Sequence, residues 1–277
     1  MSEIVWRGMT RAQLDAGYNN TEAVSDSGPR RDAWIERSDA FRRAHPEGLD
    51  LAYGPRPRNR IDLFRCRTSR APLLAFIHGG YWQRNSKETF ACMAAGPLAN
   101  GMDAAFIGYT LAPEATLTEI VAEIAAAVRW LRQEGPRHGV GEGKLVVSGW
   151  SAGGHLTATT LAMDEVDAGL AISGIYDVEP CRLNYLNDKL RLTAEEAAAT
   201  SPLLHLPKKS APVVLAYGTA ELPELQRQSV AYHEARRSAG LPSESMPLDG
   251  LNHFSIMDEL EAPGGALART AARLAGG

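Results

Sequence analysis

From Ile61 onward the chain alternates short apolar runs with longer stretches of helical periodicity. Leu73-Leu-Ala-Phe-Ile77, Asp103-Ala-Ala-Phe-Ile107, Leu145-Val-Val147, Gly169-Leu-Ala-Ile172 and Val213-Val-Leu-Ala-Tyr217 are short runs bounded by polar or turn residues. They lack polar alternation, which predicts strands buried on both faces. Between them, Lys87 to Asn100 reads as helical. Thr118 to Glu134 places Ile120, Val121, Ile124, Val128 and Leu131 at helical spacing and stops at Gly135-Pro136. Further helices are predicted over His155 to Met163 and Pro223 to Ala239. Ser243 to Met246 reads as the last strand before a terminal helix through Ala262 to Leu274. The alternation predicts an α/β fold with a mostly parallel central sheet and helices on both faces.

Two segments stand outside this pattern. Residues 1–60 are polar and weakly periodic; one or two short helices are expected, one around Arg30 to Arg43, in an extension packed on the main domain. Residues 177–207 lack strand character and read as a cap-like insertion over the carboxyl ends of the strands, where such sheets bind ligands. The whole of 1–277 is read as one domain, which at this length can bury about three quarters of its unfolded surface.

Composition removes several classes of function. A net charge of −4 with interspersed signs gives no nucleic-acid surface, and Arg30-Arg31 and Arg56-Pro-Arg58-Asn-Arg60 read as solvated faces. Cys66, Cys92 and Cys181 are odd in number and far apart, neither a disulfide framework nor a metal-ligand spacing, which fits a reducing compartment. The start, Met1-Ser-Glu-Ile-Val-Trp-Arg7, lacks the basic and apolar regions of a leader. No apolar run approaches the ~20 residues of a membrane span, so a cytoplasmic protein acting without membrane or nucleic acid is expected. A homodimer is an open option.

The chemistry centres on Gly149-Trp150-Ser151-Ala152-Gly153, which follows a predicted strand and precedes a predicted helix. So tight a turn leaves no room for side chains two residues either side of the serine, hence the glycines. The serine then stands at a helix N-terminus, where N–H groups favour developing negative charge. An incidental serine in a Gly-rich connection is the plainer reading, and the strand–turn–helix context weighs against it. His78-Gly79-Gly80-Tyr81-Trp82 follows the strand ending at Ile77. Its adjacent glycines suit an oxyanion loop in which Gly79 and Gly80, with the N–H of Ala152, hold the charge. His78 is expected to orient that loop rather than act as a base. Tyr81, Trp82, Trp150 and Phe254 can wall an aryl pocket, with ordinary packing as the competing reading.

A serine hydroxyl needs a neighbouring imidazole to take its proton. His155 lies in the helix after the serine, His205 in the insertion and His233 on a predicted surface helix. His253, in Gly250-Leu-Asn-His253-Phe254 after the last strand, is the candidate base. Glu221 follows the strand ending at Tyr217 and is the candidate acid. Glu224 competes but suits the first turn of the next helix, and Asp249 is close to His253 in sequence. No cofactor and no metal are called for, since no His/Cys/Asp cluster has ligand spacing.

The motifs His78-Gly-Gly-Tyr-Trp-Gln83, Gly149-Trp-Ser-Ala-Gly-Gly-His155 and Pro223-Glu-Leu-Gln-Arg-Gln-Ser229 resemble the kynurenine formamidase (arylformamidase) branch of the α/β-hydrolase esterases. Tyr18-Asn19-Asn20, Ser201-Pro202-Leu203 and Asn252-His253-Phe254 are similar to it too. The resemblance runs from about residue 18 to 260. It implies Ser151 as nucleophile, Glu221 as acid, His253 as base, and a small aryl amide such as N-formylkynurenine as substrate. Glu221 stands where animal members usually carry aspartate, and Trp150 where they often carry histidine. A carboxylesterase for short-chain esters is the alternative. A non-catalytic binding protein on the same fold would be expected to have lost part of this machinery.

Overall fold

Thr10 starts the first helix because its hydroxyl accepts the Gln13 N–H while the Gln13 side chain reaches back to the Thr10 N–H. Before it, strands β1 (Ile4–Trp6) and β2 (Met9–Thr10) pair as an antiparallel ribbon in the computed structural model, which describes residues 3–276. Met1 and Ser2, which open the stretch read for a leader, and Gly277 lie outside the described residues. Helices α1 (Arg11–Gly17), α2 (Asn20–Ala23) and α3 (Ser27–Ala44) follow, then strands β3 (Leu51–Ala52) and β4 (Arg60–Phe64). Three helices therefore stand where one or two were expected, and β3 and β4 join the main sheet. The periodicity of α3 is faint because it buries only Ser27, Trp34 and Ser38.

The remaining strands are β5 (Leu73–Ile77), β6 (Asp103–Ile107), β7 (Leu145–Trp150), β8 (Ala168–Ile172), β9 (Val213–Gly218) and β10 (Ser243–Leu248). Eight strands form one sheet in the order β10-β9-β8-β7-β5-β6-β4-β3. It is parallel from β10 to β6, with β4 and β3 antiparallel at the edge. Around it lie α4 (Ala95–Ala99), α5 (Leu117–Gln133), α6 (Ala152–Thr160), α7 (Glu179–Arg182), α8 (Asn187–Leu190), α9 (Ala194–Ala199), α10 (Pro223–Ser238), α11 (Asp258–Glu261) and α12 (Ala266–Leu274).

Each central strand supplies two cores. Leu73, Ala75 and Ile77 of β5 pack in the cluster that holds Ile120 and Ile124 of α5 and Leu156 of α6. Leu74 and Phe76 point the other way, into the cluster with Trp34 of α3 and Leu267 of α12. This is why the strand sequences show no polar alternation.

Several boundaries differ from expectation. β7 runs on to Trp150, where it still pairs with Ile172 of β8, and the next helix begins at Ala152 rather than His155. Lys87 to Ala94 winds as a tighter 3₁₀ helix before α4. The terminal helix begins at Ala266 rather than Ala262, because Pro263-Gly-Gly interrupts the chain after α11 and proline lacks the N–H a helix interior needs. Residues 177–207 contain the short helices α7, α8 and α9.

Candidate active site

The end of β7 forces Ser151 into a strained turn, at φ 58° and ψ −118°, between the strand and α6. A Cβ at Gly149 would lie 2.3 Å from the Gly153 carbonyl oxygen, and one at Gly153 would lie 1.9 Å from that of Ile77. Neither position admits a side chain. Ser151 faces the cavity from this turn, its N–H donating to Ile172 O at 2.8 Å and its carbonyl accepting from Gly154 N–H.

The loop after β5 comes up against it. A Cβ on Gly79 would sit 2.9 Å from Ser151 Cβ and 2.7 Å from Trp150 O, so only glycine allows this approach. Gly80, Tyr81 and Trp82 all take positive φ, at 120°, 50° and 58°. Asn85 Nδ2 donates to Gly79 O at 3.2 Å, and Arg58 donates to Asn85 O at 2.6 Å. Outside the helices and strands, no backbone carbonyl among the described residues receives the N–H of Gly79 or Gly80. Ala152 is the first residue of α6, where an N–H has no partner within the helix. The three N–H groups expected to hold an oxyanion are thus near Ser151 and uncommitted.

His78 is buried, its ring stacked on Tyr109 at 4.3 Å and its Nδ1 2.9 Å from Gly79 O. Burial pulls its pKa down to about 4, so it stays neutral at physiological pH. It packs behind the loop and does not line the Ser151 cavity.

His253, which lines the same cavity as Ser151, meets Glu221. His253 Nδ1 lies 3.1 Å from Glu221 Oε2, and both residues are buried. The second carboxylate oxygen, Oε1, accepts from Ser173 Oγ at 2.6 Å and Gly218 N–H at 2.7 Å. Glu224 is turned away, paired with Arg227 on α10, and Asp249 accepts from the Thr219 hydroxyl. The other histidines are elsewhere: His155 Nε2 is 2.7 Å from Thr200 O, His205 Nε2 2.9 Å from Ala198 O, and His233 Nδ1 2.9 Å from Ser243 Oγ.

The aromatic residues divide. Trp150, Phe254 and Tyr81 line a cavity of about 50 Å³ together with Ser151 and His253. Trp82 does not; it is fully buried in the core, edge-on to His155 at 5.0 Å. No sequence pattern announced that burial. Trp150 also donates from Nε1 to His253 O at 2.8 Å, with the two rings 4.9 Å apart. It therefore braces the histidine loop as well as walling the cavity. Trp34 packs edge-on against Trp150 at 5.7 Å.

The far wall of the cavity comes from the N-terminal segment, not from residues 177–207. Asn20, Thr21 and Arg31 line it, with Arg84 and Asn85 from the loop after β5. Tyr81 joins the two, its hydroxyl donating to Tyr18 O at 2.6 Å and accepting from Asn20 Nδ2 at 2.9 Å. Tyr185 and Asn184 of the insertion are engaged with Tyr18 O and Leu186 N–H and do not face the cavity. A larger cavity of about 310 Å³, between α5, α6 and the α9–β9 connection, contains none of these groups. Among the described residues no group of three or more His, Cys, Asp or Glu side chains could hold a metal ion.

A strained serine after a parallel strand, with a Gly-Gly loop beside it on a mostly parallel eight-stranded sheet, defines a serine hydrolase of the α/β-hydrolase class. The BD-FAE family model matches residues 61–177. The chain is 28% identical to a kynurenine formamidase of Danio rerio, across 92% of this chain and 93% of that protein. It is 30% identical to one of Salmo salar, with 76% of each covered. A crystal structure of a candidate thioesterase from Silicibacter sp. TM1040 superposes with a TM-score of 0.85 at 28% identity, covering 93% of this chain and 98% of that one. The chain belongs to the kynurenine formamidase family.

Proposed function

We propose that this chain hydrolyses aryl formamides such as N-formylkynurenine through a formyl ester on Ser151, with His253 as base and Glu221 as its orienting acid. The observation that carries the reading is the convergence of Ser151, the Gly79-Gly80 loop and the Glu221-held His253 on one cavity of about 50 Å³. A space of about 50 Å³ beside Ser151 accommodates a small group such as formyl or acetyl; on the same measure a single water needs ~10–15 Å³.

His253 Nε2 takes the Ser151 proton as Oγ attacks the formyl carbon. The carbonyl oxygen becomes an oxyanion facing the N–H groups of Gly79, Gly80 and Ala152. As the tetrahedral species collapses, the imidazolium gives its proton to the departing aryl amine. Water then attacks the formyl ester, His253 takes its proton, and formate leaves as Ser151 recovers its hydrogen. Glu221 holds Nδ1–H throughout and stabilises the imidazolium.

Asn20 is held in place at the cavity wall. Its Nδ2 is committed to Tyr81, whose own proton goes to Tyr18 O, so the amide orientation is fixed. Its Oδ1 is buried without a hydrogen-bond partner among the described residues, and Asn20 lines the cavity. Hydrolysis of a short-chain ester or thioester is the second reading, favoured by the likeness to the Silicibacter candidate thioesterase.

Formate release from N-formylkynurenine tests the proposal. The wild-type chain turns it over, and Ser151→Ala loses about 10⁴-fold or more in kcat. Undiminished turnover by Ser151→Ala would sink the mechanism.

A further inference from the structure

Two arginines at the cavity mouth have no counterpart in the chemistry described so far. Arg31 stands on α3 and Arg84 closes the loop after β5, and both are exposed side chains that line the Ser151 cavity. Neither forms an ion pair among the described residues. The contrast within α3 is sharp: Arg30 pairs with Asp26 and Asp258, Arg37 with Glu261, and Arg42 with Asp62. No Asp or Glu lines the cavity. A chain of net charge −4 thus presents a locally cationic mouth, and fields of this kind concentrate anionic ligands.

The position of the cations decides which part of a substrate they meet. Ser151 and His253 are buried while Arg31 and Arg84 are exposed, and with formyl as the acyl group only the leaving group is long enough to reach from one to the other. Arg31 and Arg84 come from two separate elements on that exposed side, and Thr21 adds a hydroxyl. Guanidinium groups are suited to carboxylates, which they bind through paired N–H donors.

We propose that Arg31 and Arg84 form an anion subsite that holds a carboxylate on the leaving group, making this chain selective for anionic aryl substrates. The proposal rests on the reading of Ser151 as the attacking group and sharpens it to a charge class. It gives the N-terminal segment a task, since α3 carries one of the two cations. The subsite acts on binding and orientation; neither arginine touches the reacting atoms.

The test compares kcat/KM on two matched pairs. One is a carboxylate-bearing formanilide and its neutral methyl ester; the other is 4-acetoxybenzoate and its neutral methyl ester. The readout is the anionic-to-neutral ratio within each pair. Arg31→Gln and Arg84→Gln each lower the ratio about threefold, and the double variant about tenfold, as expected for exposed charge-assisted bonds. Arg43→Gln makes the same charge change on an exposed residue further along α3 and leaves the ratio in place. Added salt lowers the wild-type ratio and has little effect on that of the double variant, because exposed charges are screened. Equal ratios in wild type and double variant would overturn the subsite, as would an equal fall in Arg43→Gln. Turnover of the acetoxy pair alone, with the ratio shifted by the arginine variants, would leave the subsite standing and remove the formamide reading. Turnover of formanilides with no charge preference would do the reverse.

Discussion

A single carboxylate shows how a residue acquires its role from its neighbours. Glu221 and Glu224 are three positions apart, yet only Glu221 reaches an imidazole. The difference lies in Ser173 and Gly218, whose O–H and N–H fix one carboxylate oxygen and leave the other for His253. Glu221→Ala is expected to lower kcat about 10³-fold or more, with Glu224→Ala close to wild type. The reverse pattern in steady-state kinetics would overturn the assignment. Ser173→Ala keeps the carboxylate but removes a bond to a buried charge. It should cost about 1.5–3 kcal/mol of stability and lower kcat more than it raises KM, measured by urea unfolding and kinetics on one preparation. Glu221 was legible in the sequence from its place after a strand. Ser173 was not: a serine after β8 has no motif, and its φ of 52° appears only in the fold. Trp150 was read as a wall and Trp82 as another, but the first also ties down His253 and the second is core.

Among the elements, two buried imidazoles lie on the loop and the helix beside Ser151 but outside its cavity. His78 supports the loop after β5 and His155 sits in α6, and burial lowers both from the ordinary 6.5 to about 4. Above about pH 6.5 neither the folded nor the unfolded chain protonates them, so stability is insensitive to their titration there. Between 6.5 and 4 the unfolded chain takes protons that the fold refuses, and stability falls as pH drops, by at most about 2.7 kcal/mol per pH unit for the two together. Below about 4 the folded chain protonates as well and the loss levels off. His155→Gln, which retains a donor for Thr200 O, should reduce that slope by about half in urea unfolding titrations. An unchanged slope would show that His155 is not held neutral by burial. The loop and the helix were both recognisable from their glycines. The loop's dependence on the N-terminal segment was not, because the Tyr81 bonds to Tyr18 O and Asn20 span 63 and 61 positions.

At the scale of the whole molecule, the parallel sheet was legible because strands buried on both faces must be apolar throughout. The edge strand β3 was hidden because it is only two residues long, β4 because Arg60 and Asp62 interrupt its apolar run, and α3 because its polar face makes ion pairs with Asp258 and Glu261 across the surface. The cavity is walled in part by Asn20, Thr21 and Arg31 of the N-terminal segment, and residues 177–207 pack behind them through Tyr185 and Tyr18. Among the described residues no helix is long and apolar enough to cross a membrane. The central claim is that this assembly is shaped for a small acyl group on an aryl amine. It is tested most directly by kcat/KM for N-formylkynurenine against p-nitrophenyl acetate on the same enzyme. Efficient deformylation, at least comparable to the ester despite the poorer leaving group, is the predicted result. Robust ester turnover with no formate released from N-formylkynurenine would contradict it.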